Sequence, residues 1–327
     1  MDLTDTGSDE TGREQDGRDQ GRDALLKLLR WLDGQGYRFV TATPGTHARV
    51  VKRADRQAAR HVRDVLGWSL PFQRDVIPGD LFDLLHEAHA VEALKDGLFK
   101  ARVRVSSVHE TLFLHSAYPT LAEDSVFLGP DSYRFADLIL ARMGELKPGA
   151  RILDYAAGAG VGGITAARAA PGSRLTQADV NARALRLAGV NADFAGLDHR
   201  EVEAERPADV DGPFDLIVTH PPFMMDEAGR EYRDGGDLYG ARLSLDWALE
   251  AMDKLAKGGK LVLHTGVSIV DGRDPLLNEL RERWPASGWS MWYHELDPDI
   301  FSEDLDTPPY AEVERIAAVG LVVTRAR

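Results

Sequence analysis

Phe214-Asp-Leu-Ile-Val-Thr-His-Pro-Pro-Phe223 is an apolar segment that ends in a polar residue, two prolines and an aromatic ring. Its first six residues have the composition of a buried strand. Consecutive prolines cannot donate the hydrogen bonds of a sheet, so the strand must end at His220 and leave its last carbonyl groups free. Open α/β sheets bind their ligands at this carboxyl edge. The segment therefore predicts a ligand site beside His220.

A glycine loop follows another predicted strand. Ile152-Leu-Asp-Tyr-Ala-Ala-Gly-Ala-Gly-Val-Gly-Gly163 passes from apolar residues through Asp154 into a loop that begins a helix. Glycine permits positive φ and close approach of a ligand. Read alone, its glycines and Asp179 fit a dinucleotide-binding fingerprint. A dinucleotide loop places glycine directly after the strand, however, so an acid four residues before Gly158 favours a different cofactor.

Both segments resemble those of class I S-adenosyl-L-methionine (SAM) dependent methyltransferases. Pro221, Pro222 and Phe223 match the Asn-Pro-Pro-Tyr/Phe motif of that family, and His220 stands where the family usually has Asn. The resemblance covers roughly residues 125–325, and this part of the chain is similar to the glutamine N5 and related N-methyltransferases. It implies SAM as the cofactor and a Rossmann-like sheet of seven strands.

Strand and helix patterns alternate from residue 150 onward, with strands expected at 151–154, 174–179, 214–219 and 260–264, which predicts an α/β fold with a mostly parallel sheet. The last two predicted strands, at 289–294 and 316–324, have only a loop between them, so the last should be antiparallel. Upstream, helical spacing near 23–34, 53–67 and 79–95 and an alternating segment at 98–118 predict helices and a small β-ribbon.

The expected organisation is therefore a methyltransferase domain with a smaller, mainly helical domain before it. Residues 1–22 are polar and acidic and are expected to be a disordered tail. The N-terminal domain is expected to span 23–120 and the methyltransferase domain 121–327.

Composition limits the classes of function. The 327 residues are 43% apolar, contain no cysteine and carry a net charge of -14. Disulfides and thiolate zinc sites are thereby excluded, and we expect no metal. No apolar run is long enough to span a membrane, so a cytoplasmic protein without membrane contact is expected. The acidic balance disfavours a nucleic-acid partner. The oligomeric state does not follow from the sequence.

The resemblance also implies which residues contact the cofactor. Asp179 is expected to hold the two ribose hydroxyls with its two carboxylate oxygens, although a cap on the helix that follows is the alternative. The adenine contact stays open between Glu203 and Glu205. The predicted cofactor-binding residues are Asp154, Ala156, Gly158, Gly160, Asp179, Val180 and His220.

Methyl transfer is an in-line displacement, in which the enzyme mainly positions the nucleophile. In the resembled family the Asn oxygen and the first proline carbonyl accept the hydrogens of a planar NH2 group, on which the aromatic residue stacks. His220, Pro221 and Phe223 are the predicted catalytic residues here. Neutral histidine offers one donor and one acceptor, and its ordinary pKa near 6.5 would let it take a proton. The alternative is that His220 merely bonds a backbone group.

The loop 226–239 is expected to cover the acceptor pocket, with a solvated polar loop as the alternative. Its acids could pair with a cationic substrate, and Arg233 with a carboxylate. Near 131–133, capping of a helix by Asp131 or Ser132 competes with ligand contact. The predicted substrate-binding residues are Tyr133, Pro222, Phe223, Glu231, Arg233 and Asp234.

These features lead to the prediction of a SAM-dependent N-methyltransferase acting on a small polar, cationic acceptor, such as an amino acid or its guanidino or amide nitrogen. Two alternatives stay open. One is methylation of a protein glutamine or a nucleic acid base, and the other is a SAM-binding regulatory protein in which His220 marks lost catalysis.

Overall fold

The computed structural model describes the backbone of residues 7–226 and 233–327, and within these ranges the side chains from residue 20 onward. The chain divides into two compact units, Met1–Pro119 and Thr120–Arg327. Within the described ranges, no helix has the length and apolar character needed to cross a membrane.

The first unit contains four helices and two antiparallel ribbons among its described residues. The ribbons are formed by β1 with β2 and by β3 with β4. The elements are α1 (Gly7–Gly34), α2 (Pro44–Val51), α3 (Val62–Leu66), α4 (Gly79–Glu87), β1 (Val91–Ala93), β2 (Phe99–Ala101), β3 (Val103–Val108) and β4 (Thr111–Ser116), with 3-10 turns at Ala54–Arg56 and Arg74–Val76.

Two N-terminal expectations differ from this structure. Helix α1 begins at Gly7, inside the segment expected to be disordered, and Glu, Gln and Arg in that segment have good helix propensity. The helix expected at 53–67 is replaced by the 3-10 turn Ala54–Arg56 and the short α3. Cations recur there at three- and four-residue spacing, and such like-charge pairs destabilise a helix.

Helix α4 also ends earlier than the pattern predicts. His89 has a φ of 53°, and the amide of Ala90 donates to the carbonyl of Leu85 at 2.8 Å. This is the Schellman arrangement, which ends a helix with a left-handed residue. The chain therefore leaves the helix before β1 rather than at residue 95.

The second unit alternates strands and helices. Its elements are α5 (Pro130–Arg142), β5 (Arg151–Tyr155), α6 (Val161–Ala169), β6 (Arg174–Asp179), α7 (Ala182–Phe194), β7 (His199–Glu203), β8 (Phe214–Thr219), α8 (Arg242–Asp253), β9 (Leu255–Ile269), α9 (Pro275–Arg283), β10 (Trp289–Asp297) and β11 (Arg315–Arg325), with 3-10 turns at Pro207–Asp209, Ser302–Asp306 and Pro308–Tyr310.

These strands form one seven-stranded sheet in the order β10-β11-β9-β8-β5-β6-β7. Only β11 pairs antiparallel with its neighbours, β9 and β10. The predicted Rossmann-like α/β sheet is thus confirmed. The chain builds outward from β5 through β6 to β7, then returns to β8 on the other side of β5. This reversal of strand order places a crevice at the carboxyl ends of β5 and β8, where such sheets bind ligands.

Candidate active site

The glycine loop after β5 has the conformation that its sequence predicts. Ala156, Gly158 and Gly160 have φ values of 56°, 53° and 78°. A Cβ atom at Gly160 would lie 2.4 Å from Nε2 of Gln177, so only glycine fits there without displacement. A Cβ at Gly158 would meet no atom nearer than 4.0 Å, so this side of the loop is open to a ligand.

Neighbouring elements hold the loop by hydrogen bonds. The amide of Ala157 donates to the carbonyl of Ala178 at 3.1 Å. The amide of Gly158 donates to Oδ2 of Asp179 at 2.9 Å, and Nδ2 of Asn191 donates to the carbonyl of Ala159 at 2.9 Å. The loop is therefore positioned by β6 and α7.

Asp179 lies at the end of β6 beside this loop. Its Oδ1 accepts from the amide of Asn181 at 2.9 Å. The cap of α7 is Asn181, whose side chain accepts from two amides of the first turn. The alternative of Asp179 as the cap is therefore not what the structure has. Val180, predicted with it as a cofactor contact, is 45% exposed.

Asp154 lies beneath the start of α6. Its Oδ2 accepts from the amide of Gly163 at 2.7 Å, and the residue is 1% exposed. Burial raises the pKa of this carboxyl well above its usual range, against the effect of the Gly163 amide. Asp154 thus holds the helix against the sheet, while its contact with the cofactor stays a prediction.

The local chemistry fits SAM. A carboxylate offers about four acceptor sites, and those of Asp179 beside the open side of Gly158 suit the two hydroxyls of a ribose. Asp179 and the glycine loop are the groups that would hold the cofactor.

His220 follows β8 directly and lies beside His264 of β9, because Thr219 pairs with Leu263 in the parallel register. Nδ1 of His220 is 2.9 Å from the carbonyl oxygen of His264 and 3.3 Å from its Nδ1. A carbonyl oxygen only accepts, so the short contact assigns the proton of neutral His220 to Nδ1. Nε2 then carries the lone pair.

The surroundings of His220 keep it uncharged. Burial lowers the pKa of His220, and the carboxylate of Asp131 and the carbonyl of His264 oppose this effect. The ring lies 5.6 Å from that of Phe135 and 5.7 Å from that of Phe223. A lowered pKa makes His220 a weaker base than an ordinary histidine. The site therefore favours a neutral hydrogen-bond acceptor.

Phe223 is only 8% exposed. It packs against Gly266, where an added Cβ would lie 2.3 Å from the ring, and its centroid is 5.8 Å from that of Phe301. Pro222 beside it is half-buried. Part of Phe223 thus belongs to a small apolar cluster, and its stacking on an acceptor stays a prediction, as do the roles of Pro221 and Pro222.

Sequence reasoning gave Asp131 no link to His220. Asp131 is 2% exposed and accepts from Nη1 of Arg134 at 3.0 Å, and Nη2 of Arg134 donates to Asp297 at 2.6 Å. Burial raises the pKa of Asp131, while His220 and Arg134 lower it. The i,i+3 pair in the first turn of α5 was a signal available in the sequence. Tyr133 lies in the same turn and is half-buried.

The loop that follows the His-Pro-Pro-Phe motif forms ion pairs and hydrogen bonds with other residues of the same chain. Arg233 contacts the carboxylate of Asp304, and its Nε lies 3.5 Å from Oδ1 of Asp226. Oδ1 of Asp234 accepts from the amide of Gly236 at 3.2 Å. These contacts give both side chains a structural role, while their contact with an acceptor stays a prediction. Glu231 lies outside the described residues.

The segment that contains the glycine loop and the His-Pro-Pro-Phe motif matches a known protein family. Residues 135–264 match the methyltransferase small domain family. This segment is therefore similar to methyltransferase small domains. It includes β5, the glycine loop and the His-Pro-Pro-Phe motif, and the match confirms the predicted resemblance to class I SAM-dependent methyltransferases. No group of His, Asp or Glu among the described residues is arranged to hold a metal ion.

Two curated relatives are similar to part of this chain. The release factor glutamine methyltransferase of Deinococcus radiodurans is 35% identical over 162 residues, which cover 46% of this chain and 54% of the relative. The ribosomal RNA small subunit methyltransferase C of Pectobacterium atrosepticum is 37% identical over 73 residues, 22% of this chain and 21% of the relative. The chain thus spans about half the length of the first of these relatives.

Solved methyltransferase structures also align with part of this chain. A methyltransferase from Pyrococcus furiosus aligns with a TM-score of 0.42 at 18% identity and covers 62% of this chain and 89% of its own. A ribosomal protein L11 methylase from Lactobacillus delbrueckii aligns with the same score at 19% identity, covering 62% and 81%.

The relatives correct one prediction. The expectation of a small-molecule acceptor, with nucleic acid disfavoured, is wrong, because the names of the relatives refer to a release factor glutamine and to ribosomal RNA. The error came from net charge, which averages over the whole chain. The charge of -14 is concentrated in one unit: residues 120–327 contain 22 Arg and Lys and 35 Asp and Glu.

Proposed function

We propose that this chain is a SAM-dependent N-methyltransferase whose acceptor is a macromolecule with a planar NH2 group, such as a protein glutamine or a nucleic acid base. The observation that carries the proposal is the acceptor pair at the end of β8. His220 donates from Nδ1 to the carbonyl of His264 at 2.9 Å, which leaves its Nε2 as an acceptor in the same motif as the Pro221 carbonyl.

An NH2 group has two hydrogens to donate, and these two acceptors match them. Nε2 of His220 would accept one hydrogen and the Pro221 carbonyl the other, which aims the nitrogen's remaining electrons at the methyl group. When SAM is bound, it supplies that methyl group on a sulfonium. The acceptor nitrogen would gain the methyl carbon, the electron pair of the broken carbon–sulfur bond would remain on the sulfur, and the nitrogen would give one of its protons to water. Positioning of this kind accounts for much of the rate enhancement in displacement reactions.

Burial would keep His220 neutral against the opposing charge of Asp131, and the His264 carbonyl would fix its tautomer. The His264 carbonyl fixes which nitrogen carries the proton. Arg134 lies between Asp131 and Asp297, at 3.0 and 2.6 Å, so that the carboxylate nearest His220 is itself paired. A protonated His220 would offer donors on both nitrogens and could not accept from an amide.

The relatives support a macromolecular acceptor. One is named for a release factor glutamine and another for small-subunit ribosomal RNA. Each match covers only part of the relative, so the acceptor of this chain has to be measured.

The test is transfer of tritium from methyl-labelled SAM to a bacterial release factor, to small-subunit ribosomal RNA and to free amino acids. We expect label in the protein or the RNA and none in the amino acids. His220→Leu removes the acceptor nitrogen and should abolish transfer with a much smaller loss of SAM affinity, whereas His86→Leu, on the exposed face of α4, should have no effect. SAM binding without transfer to either macromolecule, or transfer to amino acids alone, would contradict the proposal.

A further inference from the structure

The two units differ in charge. Residues 1–119 carry a net charge of -1, and within them residues 23–119 contain 14 Arg and Lys and 11 Asp and Glu, a net charge of +3, whereas residues 120–327 carry -13. Within the first unit the positive charge is concentrated at residues 49–64, which hold six Arg and Lys and two Asp. We call the exposed cations of this segment the basic surface; they are Arg49, Lys52, Arg53, Arg60 and Arg63.

The two acids of the segment neutralise little of this charge. Asp64 is 1% exposed and is paired with Arg56 at 2.9 Å. Asp55 pairs with Arg60 at 3.4 Å. Among the described residues, no carboxylate lies within ion-pair distance of the other four cations, which are Arg49, Lys52, Arg53 and Arg63.

Contacts within the first unit explain the presence of only some of these cations. Arg49 is in the last turn of α2, where a cation is favoured by the helix dipole. Arg63 lies 5.3 Å from the ring centroid of Phe39. Lys52 and Arg53 follow the end of α2 and are exposed. None of these contacts cancels a charge, so the surface keeps four uncompensated positive charges within fifteen residues.

The interior beneath this surface adds to the positive potential. Arg104 is 4% exposed, and its Nε donates to the carbonyl of Gly67 at 3.0 Å. Burial, together with the charges of Arg104 and Lys100, lowers the pKa of His47 in α2 to about 4. His47 is therefore neutral at pH 7 and takes no charge from the surface.

We propose that the basic surface Arg49–Arg63 is an RNA-binding surface that contacts the phosphate backbone. A line of exposed cations without carboxylate partners is the electrostatic footprint of a phosphate-binding protein. The choice of RNA over DNA rests on the proposed function, in which an RNA base is one of the acceptors. The surface would bind RNA without reading its sequence, because it presents charges and few groups suited to base edges.

The salt dependence of binding follows from the number of free cations. Each phosphate contact on a single strand contributes a slope of about -0.7 to the dependence of log affinity on log salt. Four contacts give about -3, so affinity should fall by about 50-fold between 50 and 200 mM KCl. Removal of three of the cations should reduce the slope to about -1.

The experiment measures anisotropy of a fluorescein-labelled single-stranded RNA of mixed sequence on the full chain, without SAM, at 50, 100 and 200 mM KCl. The test variant is Arg49→Gln/Lys52→Gln/Arg53→Gln. The control is Arg168→Gln/Lys257→Gln/Arg281→Gln, which removes three exposed cations of the second unit and so changes the net charge equally. We expect the test variant to lose at least tenfold in affinity at 100 mM KCl and the control to lose less than twofold.

Two results would overturn the inference: equal losses of affinity in the two variants, or binding of poly-glutamate as tight as binding of the RNA. These results are distinguishable from failure of the proposed function. RNA binding is measured without SAM, and His220→Leu should bind RNA like the unaltered chain even though it transfers no methyl group.

Discussion

The tautomer and pKa of His220 are the most direct test of how this site works. The contact of 2.9 Å to the His264 carbonyl places the proton on Nδ1, the less common tautomer of histidine in water, and burial lowers the pKa. Protein labelled with 15N at histidine would report both in two-dimensional NMR spectra. His220→Gln identifies the signal by its disappearance, and exposed His86 serves as an internal reference.

The magnitude follows from the titration. A histidine with an ordinary pKa is half protonated at about pH 6.5. His220 should be more than half neutral there, and methyl transfer at pH 6.5 should exceed half of its value at pH 8. The acceptor is lost only as pH falls through the lowered pKa. A midpoint at or above 6.5, or a proton on Nε2, would refute the reasoning.

Two amide variants separate the nitrogens of His220. Asn can replace Nδ1 but does not reach the position of Nε2, whereas Gln reaches that position. One acceptor contact made in the transition state is worth about 1–3 kcal/mol, so His220→Asn should lower kcat by about 5- to 150-fold. His220→Gln should retain more activity and lose the acid limb of the pH profile. Equal kcat values in the two variants would mean that Nε2 is not the acceptor.

Three further predictions concern the cofactor loop and the first unit. Asp179→Ala should weaken SAM binding in calorimetry by about 100-fold, since two hydrogen bonds to a charged group are worth about 3 kcal/mol; a change below threefold would contradict the ribose contact. Gly160→Ala, at φ 78° and facing Gln177, should destabilise the chain by about 1–2 kcal/mol in urea unfolding; an unchanged midpoint would show that the loop relaxes. His47 has a pKa of about 4 in the folded chain and about 6.5 in the unfolded chain. Its neutral form therefore contributes fully to the free energy of unfolding above pH 6.5, and about 3 kcal/mol of that free energy is lost as the pH falls to 4. In urea unfolding, His47→Phe should reduce this loss and His86→Phe should not; equal pH dependence in both would contradict the assignment.

The central strands could be predicted because each is bounded by residues that end it. Arg174–Asp179 and Phe214–Thr219 have the predicted limits. The first is followed by a helix cap and the second by His220 and two prolines. By contrast, β9 runs from Leu255 to Ile269, far beyond the expected 260–264, because it pairs with β11 over ten residues. Pairing with a distant strand leaves no local signal in composition.

The glycine loop and the His-Pro-Pro-Phe motif could be predicted because each is continuous in sequence. The partners of His220 are separated from it by 44 residues in the case of His264 and by 89 in the case of Asp131. Their proximity depends on β8 lying next to β9 and on the first turn of α5. His264 ends the predicted strand 260–264, so strand order alone would have placed it beside His220. The effect of the Asp131 charge on His220 could be recognised only from the side-chain geometry.

The exchange of asparagine for histidine in the motif is understandable once the donor and the acceptor are assigned separately. The amide group of an asparagine carries both a hydrogen-bond donor and an acceptor. In His220 the two functions are on different nitrogens, and the His264 carbonyl accepts from the donor, so Nε2 is left as the acceptor. This works only while the ring is neutral, since an imidazolium donates from both nitrogens. Burial of both histidines lowers the pKa of each, and the proximity of His220 lowers that of His264 further. The pair of histidines therefore maintains the neutral state on which acceptance of an N–H hydrogen depends.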